Sequence, residues 1–260
     1  PQQDGDAFLR LYDARGQPLA SDGDTIGQNP QLGTVLVAET RFLEVGWNGA
    51  AQPYALTVSR LEPEALAVDE SLDALPGSRL WQFSGERDTY ALVEVTPPAS
   101  GNRLIARLVD SRGAELALAD SADGSTPQLG AILPADGPYF VVVSGAGTAE
   151  SYSLSLRVSQ VRPVAAAEPV EADADSRAWR FTGRAGAVVT ISAETRAGGD
   201  LTLGLRDAQG VTLAYNDDRT GDTRDPQIVY TLPEDGEYLI EVGWYPGTEP
   251  GAYRLTLSDE

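Results

Sequence analysis

An all-β fold is predicted, built from tandem antiparallel sandwich modules of jelly-roll type, with the first of three copies incomplete. Three observations predict it. One set of sequence anchors recurs at nearly constant spacing through the 260 residues, apolar side chains alternate at every second position, and turn signals punctuate the alternation.

The anchors come first. Leu11-Tyr12-Asp13-Ala14-Arg15-Gly16 recurs as Leu108-Val109-Asp110-Ser111-Arg112-Gly113 and again as Leu205-Arg206-Asp207-Ala208-Gln209-Gly210, each time after 97 residues. Leu19, Leu116 and Leu213 keep that interval, and Pro30-Gln31, Pro127-Gln128 and Pro226-Gln227 follow at 97 and 99. Each copy closes on an alternating segment: Tyr54-Leu56-Val58, Tyr152-Leu154-Leu156 and Tyr253-Leu255-Leu257. The expected modules are 1–60, 61–160 and 161–260.

Within a copy, Leu201, Leu203 and Leu205 point one way while Thr202, Gly204 and Arg206 point the other. Val189-Ile191-Ala193 and Tyr238-Ile240-Val242 repeat the pattern. The Asp-x-x-Gly between strands predicts a turn in which Asp caps nearby backbone and Gly takes the left-handed exit. Asp136-Gly137 and Asp235-Gly236 mark a second turn before a Tyr-led strand. Trp81-Gln82-Phe83 and Trp179-Arg180-Phe181 open copies two and three, with Trp and Phe on one face and hence in the core. The equivalent Trp of copy one would precede Leu11 by 27 residues, so that copy lacks its first strands. Residues 60–77 and 160–175, rich in Pro, Ala and acidic side chains, are expected to hold a linker followed by an edge strand.

Composition bounds the chemistry. The chain has no His, Cys or Met, and all 19 of its basic residues are Arg. Ser-His-Asp triads, Cys-His pairs, lysine dyads and Schiff bases, and His/Cys zinc sites are therefore impossible within it. Only two-carboxylate schemes remain open, and no catalytic residue is assigned. A net charge of −20 disfavours nucleic acid and anionic membrane surfaces, and no apolar run is long enough to span a bilayer. The start at Pro1, with no signal-peptide pattern, is read as a processed or truncated product.

Acidic residues are candidates for calcium, a hard cation that takes six to eight oxygens. The segment 216–225 gathers Asp217, Asp218, Asp222 and Asp225, against the alternative of a solvated turn partly neutralised by Arg219 and Arg224. Copy one offers Asp22 and Asp24, and copy two Asp120 and Asp123. Trp47, and Trp244 with Tyr245, stand just beyond strands in Gly-rich loops. They fit an aromatic platform for sugars, peptides or a partner, or else a Trp folded over the sandwich end.

The pattern resembles the bacterial pre-peptidase C-terminal domain, which is itself similar to the collagen-binding domains of clostridial collagenases. In copy three the resemblance runs from Trp179-Arg180-Phe181-Thr182-Gly183 through Asp200-Leu201-Thr202-Leu203 and Asn216-Asp217-Asp218 to Leu232-Pro233-Glu234-Asp235-Gly236-Glu237-Tyr238 and Gly251-Ala252-Tyr253. Copy two departs at Ala119-Asp120-Ser121, and copy one has Glu39-Thr40-Arg41 in place of the Asp-Gly-x-Tyr turn. The resemblance implies a non-catalytic appendage of a secreted or cell-surface protein, often following a peptidase and serving adhesion, secretion or assembly. It also implies calcium in some relatives. The expected partner is an extracellular polymer or surface, or further copies of this chain joined head-to-tail by strand complementation of the first repeat.

Overall fold

The computed structural model describes residues 6–23, 30, 32–36, 41–49, 53–77, 79–99, 101–121, 126–145, 149–196, 198–208, 210–219, 224–245 and 247–259. The architecture is all-β. No α-helix occurs among the described residues, and so none is long and apolar enough to cross a membrane.

The chain divides into two compact units. The first comprises residues 1–85, 92–131 and 137–157. It opens with β1 (Asp6–Tyr12), β2 (Pro18–Asp22) and β3 (Phe42–Asn48), an antiparallel sheet of order β2-β1-β3. Nine strands follow: β4 (Glu64–Ala65), β5 (Ser71–Ala74), β6 (Leu80–Gly85), β7 (Thr89–Thr96), β8 (Ile105–Asp110), β9 (Glu115–Asp120), β10 (Gln128–Ile132), β11 (Gly137–Ser144) and β12 (Tyr152–Gln160). They form a five-stranded sheet, β4-β6-β11-β8-β9, and a four-stranded sheet, β10-β7-β12-β5.

The second unit, residues 86–91, 132–136 and 158–260, holds β13 (Arg162–Pro163), β14 (Val170–Ala172), β15 (Ala178–Gly183), β16 (Val188–Thr195), β17 (Leu201–Asp207), β18 (Thr212–Asn216), β19 (Gln227–Thr231), β20 (Gly236–Trp244) and β21 (Tyr253–Asp259). Its sheets, β13-β15-β20-β17-β18 and β14-β21-β16-β19, reproduce the earlier orders strand for strand.

The alternation predicted from sequence sets the core. Leu201, Leu203 and Leu205 of β17 and Ile240 and Val242 of β20 meet Ile191, Ala193, Tyr253, Leu255 and Leu257 from the other sheet, all essentially buried. Burying each large aliphatic side chain stabilises the fold by roughly 1.5–3 kcal/mol. A one-residue slip would turn the whole row to solvent, which fixes the register.

The Asp-x-x-Gly turns form as expected. Asp13 Oδ1 accepts the amides of Arg15 and Gln17, each at 2.8 Å, and Asp110 Oδ1 accepts those of Arg112 at 2.8 Å and Ala114 at 2.9 Å. Asp207 Oδ1 accepts from Val211 at 2.8 Å. Gly16, Gly113 and Gly210 take φ of 79°, 82° and 83°, the left-handed conformation that a Cβ disfavours.

Two expectations need correction. Residues 60–77 and 160–175 each carry two short strands rather than one, and the first of each pair, β4 or β13, runs parallel to β6 or β15. The closing strand expected at Tyr54-Leu56-Val58 does not form: residues 53–63 are irregular and exposed. The reason is pairing. Its counterpart β21 is held between β14 and β16, whereas the first sheet comprises only β2, β1 and β3.

Candidate functional site

The described residues at the two ends of the acidic segment after β18 bond to backbone groups. Asn216 Oδ1 accepts the Gln227 amide at 3.0 Å, and Asp225 Oδ1 accepts the Thr195 amide at 2.9 Å. Arg219 donates its amide to the Asp225 carbonyl at 3.2 Å. Asp217 is half-buried and Asp218 exposed, while Asp222 lies outside the described residues.

In the first unit Asp22 is buried at the end of β2, and Asp24 lies outside the described residues. Asp120 is engaged by both guanidinium arms of Arg103, with Nε at 2.7 Å from Oδ1, and this hydrogen bonding raises the Arg103 pKa. Asp123 also lies outside the described residues. No group of three or more His, Cys, Asp or Glu poised for a metal ion occurs among the described residues. Calcium needs several converging oxygens, and among the described candidates Asp225 already accepts the Thr195 amide and Asp120 the Arg103 guanidinium. The calcium reading thus turns on Asp222, Asp24 and Asp123.

The aromatic candidates separate. Trp47 and Trp244 occupy one register position, opposite Ala7 and Leu201 respectively. Trp244 is not an exposed platform, which corrects one of the two readings of that residue. It is 8% exposed, packs edge-on against Tyr253 with centroids 5.9 Å apart, and is capped by the Arg177 guanidinium 4.6 Å from its centroid. Burial against the core plus a cation over the ring leaves no face for a ligand. Tyr245 remains 49% exposed; its carbonyl accepts Thr248 Oγ1 at 2.7 Å. Trp47 is half-buried and lies 5.2 Å from the exposed ring of Tyr54, at 58°.

A further surface was not anticipated. On the outward face of the first sheet, the Arg10 guanidinium lies 4.4 Å over Phe8, and Tyr12 Oη donates to Glu44 at 2.6 Å. That hydrogen bond raises the Tyr12 pKa. Arg10 also stands 3.8 Å from Glu44, and Phe42 beside them is 55% exposed. The sequence signal was available: outward-facing Phe8, Tyr12 and Phe42 on two strands whose charged neighbours are Arg10 and Glu44.

In the second unit the same face carries Glu241, which accepts Arg206 Nε and Nη2 at 3.1 and 3.0 Å and the Tyr90 hydroxyl at 3.2 Å. Burial, then the Glu241 charge, pushes the Tyr90 pKa well up.

With this geometry in view, the family comparison falls in the second unit. Residues 175–243, from just before β15 through β20, match the family model described as bacterial pre-peptidase C-terminal domain. The family resemblance holds over this stretch. It takes in Trp179, the Asp207 turn, the acidic segment and the Asp235 turn.

A probable subtilase-type serine protease of Deinococcus radiodurans is 47% identical over 68 residues, which is 25% of this chain. The match spans 9% of that protein's length. Among solved structures, the pre-peptidase C-terminal domain of a Bacillus anthracis collagenase aligns at 15% identity with a TM-score of 0.32, over 38% of this chain and 95% of that one. The M60 catalytic domain with two CBM51 domains from Clostridium perfringens ZmpB aligns at 10% identity with a TM-score of 0.24, over 86% of this chain and 41% of that one.

Proposed function

We propose that this chain is a non-catalytic binding or tethering region of a secreted or cell-surface protein, holding it to an extracellular polymer or surface. The family match over residues 175–243 carries the reading. Two further facts support it. The stretch shared with the Deinococcus protease is a small part of that enzyme. The absence of His, Cys and Lys removes the usual nucleophile–base pairs from this chain.

Co-sedimentation with insoluble collagen, chitin, cellulose and peptidoglycan tests it, alongside hydrolysis assays on protein and glycoside substrates. Retention on at least one polymer without hydrolysis is expected, weakened by Tyr245→Ala or Trp47→Ala. Hydrolysis that survives rigorous purification, or retention on none of the polymers, would overturn it.

A second reading is favoured by residues 53–63. Tyr54, Leu56 and Val58 are 61%, 47% and 80% exposed, in the segment whose counterpart β21 is paired on both edges. An exposed, unpaired segment of alternating apolar residues can pair with a strand from another chain, as in a filament, sheath or surface layer. Ordered polymers in negative-stain micrographs, lost on Val58→Pro, are the outcome this reading requires.

A further inference from the structure

Along β17 of the third repeat, Thr202, Gly204 and Arg206 turn away from the core, and the register sets their neighbours. Gly204 faces Tyr215 of β18 on one side and Glu241 of β20 on the other, and Thr202 faces Gly243. One outward pair further along, the Tyr245 amide donates to the Asp200 carbonyl at 2.8 Å, which puts Tyr245 on the same face. Tyr215 is 61% and Tyr245 49% exposed. Burial, then the Asp217 charge, raises the Tyr215 pKa, and Tyr245 acts in the same sense, so both rings and that carboxylate share one patch.

The three repeats differ at this place. At intervals of 97 residues, Arg10, Arg107 and Gly204 occupy one position, and their cross-strand partners are Ser21, Leu118 and Tyr215. The third repeat therefore carries no guanidinium there and sets an aromatic ring beside the bare position. Packing does not require the glycine: a Cβ on Gly204 would meet Glu241 Cβ at 3.7 Å, an ordinary contact. A glycine in a strand interior often marks a place where another group approaches closely. Leu118, with a repeat before and after it in the chain, is 54% exposed, so openness belongs to this row itself.

The patch is negative and has no cation to spare. Arg206 is taken up by Glu241, with Nε and Nη2 at 3.1 and 3.0 Å, and the same carboxylate accepts the Tyr90 hydroxyl. Among the described residues, no ion pair engages Asp217 or Asp200. Three other rings are capped by the chain's own guanidinium groups: Arg10 lies 4.4 Å over Phe8, Arg162 4.8 Å over Trp179 and Arg177 4.6 Å over Trp244. None of the described arginines lies over Tyr215 or Tyr245. A planar guanidinium stacks on aromatic faces and pairs with carboxylates, so it suits this patch better than a compact, strongly hydrated ammonium.

We infer that the Tyr215–Tyr245 face of the third repeat is a docking surface for an extended, arginine-bearing peptide segment of a partner protein, whose guanidinium lies over Gly204 at the place Arg10 and Arg107 hold in the other repeats. Charge complementarity selects this occupant. The net charge of −20 and the unpaired Asp217 and Asp200 favour a basic segment and repel acidic polymers. The inference rests on the tethering reading and gives its partner a chemistry.

Fluorescence anisotropy of a labelled peptide of alternating Ser and Arg, titrated with the full chain near physiological salt, tests this. Saturable binding is expected, weaker for the Ser-Lys counterpart and absent for Ser-Glu. Tyr215→Ala and Tyr245→Ala are each expected to weaken binding about fivefold, while Tyr215→Phe, which keeps the ring, leaves it unchanged. Gly204→Arg supplies the guanidinium internally and is expected to abolish binding with unchanged circular dichroism. The inference is overturned if wild type does not bind the Ser-Arg peptide. It is also overturned if Gly204→Arg and both alanine variants bind as wild type does, because the attraction would then be diffuse and owed to net charge. Preferential binding of a chitosan oligomer would assign the patch to an amino-sugar polymer and likewise overturn it. Co-sedimentation with an insoluble polymer by a chain that binds no peptide would leave the tethering reading standing while removing this one.

Discussion

The indole N–H of Trp179 donates to the hydroxyl of Tyr253 at 2.8 Å, joining β15 of one sheet to β21 of the other through the middle of the core. Trp81 and Tyr152 repeat the bond at 3.2 Å. Tyr253 donates its own proton to the carbonyl of half-buried Ser176, so one hydroxyl serves both the buried indole and that carbonyl. Tyr253→Phe removes the acceptor of the buried Trp179 N–H and is expected to cost about 1–3 kcal/mol, the penalty for an unsatisfied buried polar group. Tyr152→Phe, with the longer bond to its Trp, is expected to cost less. Urea midpoints of the two variants check the order, and an unchanged midpoint for Tyr253→Phe would show that the bond contributes nothing.

Alkaline pH probes the same tyrosines. Burial pushes the Tyr152 pKa up to about 12 and raises that of Tyr253 as well. Unfolded tyrosine ionises near 10, so above that pH the unfolded chain binds fewer protons than the folded one and stability falls as pH rises. The stabilisation is therefore intact below pH 10 and is lost towards and beyond pH 12. The chain has no Lys or Cys to titrate in that window, which leaves tyrosine as the dominant signal. Denaturation midpoints should be level from pH 8 to near 10 and then decline, each tyrosine contributing at most about 1.4 kcal/mol per pH unit. Tyr152→Phe should shallow the decline, and an identical slope in that variant would contradict the assignment.

The turn aspartates should differ in weight although their sequence motif is the same. Asp110 is 7% exposed and its carboxylate accepts the Arg112 and Ala114 amides and Arg112 Nε at 3.1 Å. Asp207 is less buried. Asp110→Ala is expected to cost about 1–3 kcal/mol and Asp207→Ala nearer 1 kcal/mol, in line with charge-assisted bonds to backbone. Thermal unfolding of both variants checks this; equal shifts would mean that burial of the carboxylate does not matter here.

How much of this was legible in sequence depends on range. The turns at Asp13, Asp110 and Asp207 are closed by residues two to four positions away, so their chemistry was readable directly. The Trp-x-Phe cores followed from period-two alternation, and Phe181 does stack on Tyr238, with centroids 5.5 Å apart. What failed depended on distant partners. Tyr54-Leu56-Val58 alternates as well as Tyr253-Leu255-Leu257 does, yet alternation reports only that a strand has a face, not that neighbours exist to pair with it. Trp47 and Trp244 read alike because the distinction lies in Arg177 and Tyr253, far from Trp244 in one case and near it only in space. Tyr90 and Glu241, 151 residues apart, left no local signal at all.

Gly183 and Gly236 face each other across the β15–β20 ladder, and only one of them has room for a methyl group. A Cβ on Gly183 would stand 2.2 Å from Leu232 Cδ1 and 3.2 Å from two ring atoms of Tyr238. Leu232 and Tyr238 are each 1% exposed, so neither can swing away without disturbing the core. Nothing lies within 4 Å of a Cβ on Gly236, and its φ is outside the left-handed range. Gly183→Ala is therefore expected to cost about 1–3 kcal/mol through overpacking. Gly236→Ala should be neutral or stabilise by up to about 1 kcal/mol, because alanine narrows the unfolded ensemble. Urea denaturation at constant m-value distinguishes the pair. Equal midpoints would mean that Leu232 and Tyr238 do not close over Gly183 as described, and the packing of that corner of the sandwich would have to be redrawn.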